Sequence, residues 1–93
     1  MLAHDGARYQ LAASQPDEIV RLVHGTLTVH VDPLGRGERF RVITGDAEVE
    51  VVGTAFDVTA QDDRLRQVRV THGDVKVTAA GAAPEFLGSG QTW

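Results

Sequence analysis

The sequence predicts an all-β sandwich, and three observations carry that reading. Short runs alternate apolar and polar residues, as half-buried strands do. A glycine-centred unit recurs: Arg21 to Val31, Arg41 to Val51 and Arg69 to Ala79 align without gaps, with Gly25, Gly45 and Gly73 at the same place. Nowhere do apolar residues recur at helical spacing over three turns. The units start at uneven intervals, which excludes a regular solenoid.

In chain order, Tyr9, Leu11 and Ala13 alternate as an opening strand, and Ser14-Gln15-Pro16-Asp17 ends it. Treated as a hairpin about its glycine, the first unit places Leu22 opposite Leu27 and Val20 opposite Val29. Asp32 to Gly37, with a proline and two glycines, has the chemistry of a turn. The second unit places Val42 opposite Ala47 and Phe40 opposite Val49. Its other face then sets Arg41 against Glu48 and Arg39 against Glu50, two opposite-charge pairs. The third unit places Val70 opposite Val75 and Val68 opposite Val77, but also sets Arg69 against Lys76, a mild conflict. All six apolar pairs fall on one face of their hairpin. A competing geometry makes each glycine a corner that carries the chain between two stacked sheets, and alternation alone does not separate the two.

Between the second and third units, Val49 and Val51 alternate with one parity, and Phe56 and Val58 with the other. The chain must absorb one residue around Val52-Gly53-Thr54, and a glycine-containing bulge or sharp corner does so at low steric cost. Ala60 to Arg64 is a polar break. Ala79 to Pro84 is a small, flexible connection into a last short strand around Phe86-Leu87.

The composition bounds the function. Ninety-three residues, 42% of them hydrophobic, suit one domain spanning residues 1–93. A chain of this length buries about 60–65% of its unfolded surface, enough for one thin core. The net charge of −4, with basic residues scattered along the chain, argues against a nucleic-acid partner. The absence of cysteine excludes a disulfide framework and a thiolate metal site. No signal peptide or membrane-spanning run is visible. A large apolar residue at the end, Trp93, leads us to expect a piece of a longer protein.

No group of residues makes a reactive site. His24 and His72 precede their turn glycines, and turn chemistry accounts for them better than metal ligation. His30 lies on the polar side of its strand and His4 in the opening segment. Asp62-Asp63, with Asp57 near, lacks the alternating oxygens and closing glutamate of a calcium loop and reads as a solvated loop. Glu48 and Glu50 have facing arginines, which keep them ionised and unsuited to general acid work. Ser14 and Ser89 lack a nucleophile-elbow context. We therefore expect no catalytic, metal or cofactor site. One surface feature remains: Ile19 and Val23 fall away from the first unit's apolar pairs, beside Thr26, Thr28 and His30. Ile19, Val23 and His30 are thus a candidate partner face.

Several segments together resemble the FecR family. They are Asp5-Gly6, Val20 to Leu27, Arg39 to Thr44, Val51 to Val58, Val68 to Val77 and the closing Leu87-Gly88-Ser89-Gly90-Gln91. The most specific is the valine-leucine-glycine-threonine-x-phenylalanine motif, matched by Val51 to Phe56 with Val52 in place of leucine. Val51, Gly53, Thr54, Phe56, Val58, Gly25 and Gly73 are the family-signature residues. The resemblance implies a jelly-roll-like sandwich in the periplasmic part of a membrane-anchored anti-sigma regulator. It also implies a protein partner such as the signalling domain of a TonB-dependent outer-membrane receptor, and no enzymatic activity. Thr26 stands where iron-transport members usually carry an acidic residue. Other readings are a small-ligand or polysaccharide-binding module of the cell envelope, and a metal-dependent jelly-roll enzyme.

Overall fold

The computed structural model describes residues 1–14, 17–31, 39–51 and 53–93, and all its regular elements are strands. These are β1 (Leu2–Ala3), β2 (Arg8–Ala13), β3 (Asp17–Val31), β4 (Arg39–Ile43), β5 (Ala47–Val51), β6 (Thr54–Gln61), β7 (Arg64–His72), β8 (Val75–Ala79) and β9 (Glu85–Leu87). The all-β sandwich expected from the alternation is what forms. The turn expected at Asp32 to Gly37, and Gln15, Pro16 and Val52, lie outside the described residues.

The fifteen-residue β3 organises the molecule by belonging to both layers. Its first part, up to His24, pairs with β2 on one side and, in parallel, with β4 on the other. From Gly25 onward it pairs with β6 and with β1. One layer runs β2-β3-β4-β5-β8-β9 and the other β1-β3-β6-β7. Beyond β7, the last residues close that edge: Val68 N–H donates to the Trp93 carbonyl, Trp93 N–H donates back, and Val70 N–H donates to Gln91.

Between the layers lie the alternating residues singled out in the sequence. Val20, Leu22, Leu27, Val29, Val42, Val49, Phe56, Val58, Val68, Val70, Val75 and Val77 are all essentially removed from water. Burying a side chain of this size stabilises the fold by about 1.5–3 kcal/mol. The inner face of the strands that carry these residues was therefore legible, while the partner of many was not; β1 was not foreseen, and the register shift that sets Ala13 opposite Ile19 breaks the alternation expected along β2.

Of the three glycine units, only the second is a hairpin. In the first, Gly25 (φ 102°) bends one continuous strand from layer to layer. In the third, Gly73 (φ 98°) separates β7 in one layer from β8 in the other. Leu22 therefore does not face Leu27, nor Val70 Val75; their ladder partners are Tyr9, both Ala3 and Val58, Phe56, and both Val51 and Leu87 respectively. The expected Arg69–Lys76 conflict disappears with the third hairpin: Arg69 pairs with Asp57 and Lys76 with Glu50. The parity flip around Gly53 (φ 71°) is likewise a change of layer, from β5 to β6.

The second hairpin closes over Gly45-Asp46, where Thr44 N–H donates to the Ala47 carbonyl at 2.9 Å. Phe40 pairs with Val51 and Val42 with Val49, two places from the expected register. A shift of two preserves the faces, so the core assignment survives. The true tight turn elsewhere is Asp62-Asp63, both in the left-handed region (φ 52° and 61°), joining β6 to β7 as a type I′ hairpin does.

Candidate interaction surfaces

Most of the residues read as a motif in the sequence lie at or beside a clasp between layers. Val51, Thr54, Phe56 and Val58 are buried to within 1% of complete. A Cβ on Gly73 would stand 2.5 Å from the Gly53 carbonyl oxygen and 3.0 Å from the Thr54 Cα, so two corners cross at backbone contact. The Thr54 hydroxyl donates to the Asp74 carbonyl at 2.8 Å and fastens one corner to the other. A third crossing joins them where the chain leaves β9: Gly73 N–H donates to Ser89 Oγ at 3.1 Å, and Gly88 N–H to Gln91 Oε1 at 2.7 Å. Gly25 has the same role beside the opening segment, where its Cβ would fall 2.6 Å from the Ala7 Cα. These close approaches and bonds hold the corners of the two layers together.

The opposite end is held by two aspartates acting reciprocally. Asp46, in the β4–β5 turn, accepts from Leu65 N–H and from the Thr44 hydroxyl, each at 2.9 Å. Asp63, in the β6–β7 turn, accepts from Gly45 N–H on its carbonyl at 2.8 Å and on Oδ1 at 3.0 Å. The Leu65 N–H bond is the main reason the Asp46 carboxyl is held below the usual aspartate range, against the opposing effect of burial. Asp63 also receives Arg21 Nη2 at 2.7 Å, and its N–H donates to the Val23 carbonyl. The aspartate pair read as a solvated loop is thus half structural: Asp63 joins the hairpin tips, while Asp62 is exposed. The reciprocal spacing crosses layers, and no local sequence pattern announces it.

The outer face of the six-stranded layer is an ion-pair lattice. Arg41 bonds Asp17 at 2.8 Å and Glu48 at 2.9 Å, and Arg39 bonds Glu50 at 2.7 Å. Its hydrogen bond to Glu48 raises the Arg41 pKa, and that of Arg39 holds the Glu50 carboxyl below the usual range. Both pairs expected from the sequence exist. Ile19 sits in this lattice, half-buried, between Ala13 and Arg41. Val23 follows on the same strand, whereas His30 pairs with Ala55 in the other layer. The bend at Gly25 thus divides the candidate partner face: Ile19 and Val23 belong to one layer, and Thr26, Thr28 and His30 to the other. At the far edge, a depression is lined by Glu50, Asp74, Val75, Lys76 and Phe86, with Phe86 three-quarters exposed.

His30 and His72 flank Ala55 from its two neighbouring strands, and the other two histidines lie elsewhere. His4 Nε2 meets the Thr28 hydroxyl at 2.7 Å, His24 pairs with Arg8 and His72 with Ala55. Among the described residues no three metal-ligating side chains converge.

The chain is thus an all-β sandwich with ion pairs on one outer face and corners that cross at backbone contact. By its match to the FecR protein family model over residues 3–76, the chain belongs to that family, one of regulators rather than catalysts. It is also similar to two crystal structures of a candidate anti-sigma factor from Parabacteroides distasonis. One matches with a TM-score of 0.72 at 25% identity over 92% of this chain, the other with 0.71 at 25% identity over 85%. The chain spans 40% and 36% of those two structures. No curated protein matches it. No helix among the described residues is long and apolar enough to cross a membrane.

Proposed function

We propose that this chain is a non-enzymatic sensory and protein-interaction domain, on the periplasmic side of a membrane-anchored sigma regulator. The family match over residues 3–76 carries the reading. The geometry agrees with it, because the motif residues serve the fold and leave only surfaces to a partner. Binding at a sheet edge or over Ile19 and Val23 would shift the attached regulator through differential affinity for its two states. The partner class we expect is the signalling domain of a TonB-dependent outer-membrane receptor. Titrating such a domain into the chain by calorimetry tests this. Saturable binding is expected, and no heat up to high micromolar concentration would count heavily against it.

A second reading rests on the depression beside Phe86. An exposed aromatic ring flanked by Glu50, Asp74 and Lys76 is a platform on which a sugar ring could stack. A glycan array separates this polysaccharide-binding module from the protein-binding domain.

A further inference from the structure

We propose that the free edge of β2 receives a β-strand from a protein partner, with apolar residues opposite Tyr9 and Leu11 and an acidic residue near Arg8. The inference rests on the reading of the chain as a protein-interaction domain and assigns the place of contact.

Tyr9 and Leu11 pair with Leu22 and Val20, so they stand on the core side of the layer. Yet Leu22 and Val20 are 0% and 1% exposed, while Tyr9 and Leu11 are 45% and 57% exposed. The covering layer stops short of them, because on this side it ends in β1, whose two residues reach only Thr28 and Leu27. The six-stranded layer therefore overhangs, with two apolar side chains on its uncovered inner surface. Among the described residues β2 pairs only with β3, so its outer edge offers backbone donors and acceptors, which an extended chain matches and a helix does not.

The other margins contrast with this one. The four-stranded layer's far edge is occupied by the chain itself, through Gln91 and Trp93 on β7. At the β9 edge the exposed Phe86 pairs with Lys76 and so stands on the outer face instead of the inner one. Protected edges carry proline, an inward charge or a bulge. Between Tyr9 and Leu11 there is none of these; the register shifts at Arg8/Tyr9 and Leu11/Ala13 confine the accessible edge to these residues. They frame a short, regular window. Arg8 at its border is exposed and has no acidic partner among the described residues, which sets the charge of the incoming strand.

The test uses a synthetic peptide alternating valine and threonine, with one glutamate at its end, and amide spectra of the chain. The expected result is saturable binding, with slowed exchange at residues 9 to 11. The double variant Tyr9→Lys/Leu11→Lys should weaken binding roughly tenfold or more. Phe86→Lys should leave it unchanged, and the double variant should melt only modestly below the parent chain, because Tyr9 and Leu11 are about half exposed. The proposal is overturned by no binding at millimolar peptide, by protection at Lys76 and Phe86 instead, or by slowed exchange that grows with protein concentration without peptide, which would assign the edge to a second copy. If a receptor signalling domain binds the double variant as tightly as the parent chain, this site fails while the signalling reading stands.

Discussion

Arg41 lies directly across the ladder from Glu50, yet its guanidinium bonds Glu48, at 2.9 Å. Glu50 is left to Arg39, so each arginine reaches diagonally along the strand pair. In a double-mutant cycle, Arg41→Met with Glu48→Gln should give a coupling of about 0.5–1 kcal/mol, while Arg41→Met with Glu50→Gln should give much less. Denaturant titrations at low and high salt check this, because the Arg41–Glu48 coupling should shrink as salt is added.

The crossing of Gly73 over Gly53 predicts a graded glycine series. Gly73→Ala combines a left-handed backbone with a Cβ in contact with a carbonyl oxygen, and should destabilise by about 2–4 kcal/mol. Gly81 has φ 76° but open space around its Cβ position, so Gly81→Ala should cost about 1 kcal/mol. Equal losses would show that the crossing is looser than the distances indicate.

Thr54→Val should cost about 1–2 kcal/mol although it keeps the side-chain shape, because it removes the hydroxyl bonded to the Asp74 carbonyl. Thr54→Ser keeps the hydroxyl, so in Thr54→Ser the amide exchange of Gly73 and Asp74 should stay closer to that of the parent chain than in Thr54→Val.

Asp46 sets an acid limit. Its folded pKa is depressed, so its contribution is complete above the unfolded value of about 3.9 and is lost as pH falls through the lower folded value. Stability should therefore fall on acidification below about pH 4. Asp46→Asn should be less stable at neutral pH and show a shallower acid limb. Urea midpoints from pH 7 to pH 2.5 measure both.

The buried face of the core strands could be read because alternation records only inside and outside, but it failed at Ala13, where a register shift intervenes. Pairing was harder, since a tight turn and a corner both reverse parity across a glycine, and Gly25, Gly45 and Gly73 look alike in sequence. Charge carried the missing signal: the second unit, where arginines meet glutamates, is the real hairpin, and the third, where Arg69 would have met Lys76, is not. The two-place register error followed from centring the turn on Thr44-Gly45 instead of Gly45-Asp46. Asp63, Ser89 and Gln91 were missed as ties because their partners are distant in sequence. The division of Ile19 and Val23 from His30 depended on a bend that only coordinates reveal.

The strand that begins in one layer and finishes in the other has a mechanical corollary. Neither half of the body can slide or lift away while its neighbour stays intact, because they are woven from shared threads. Slow amide exchange on both sides should report one global opening, and a load on this domain should be passed on by displacing the body whole.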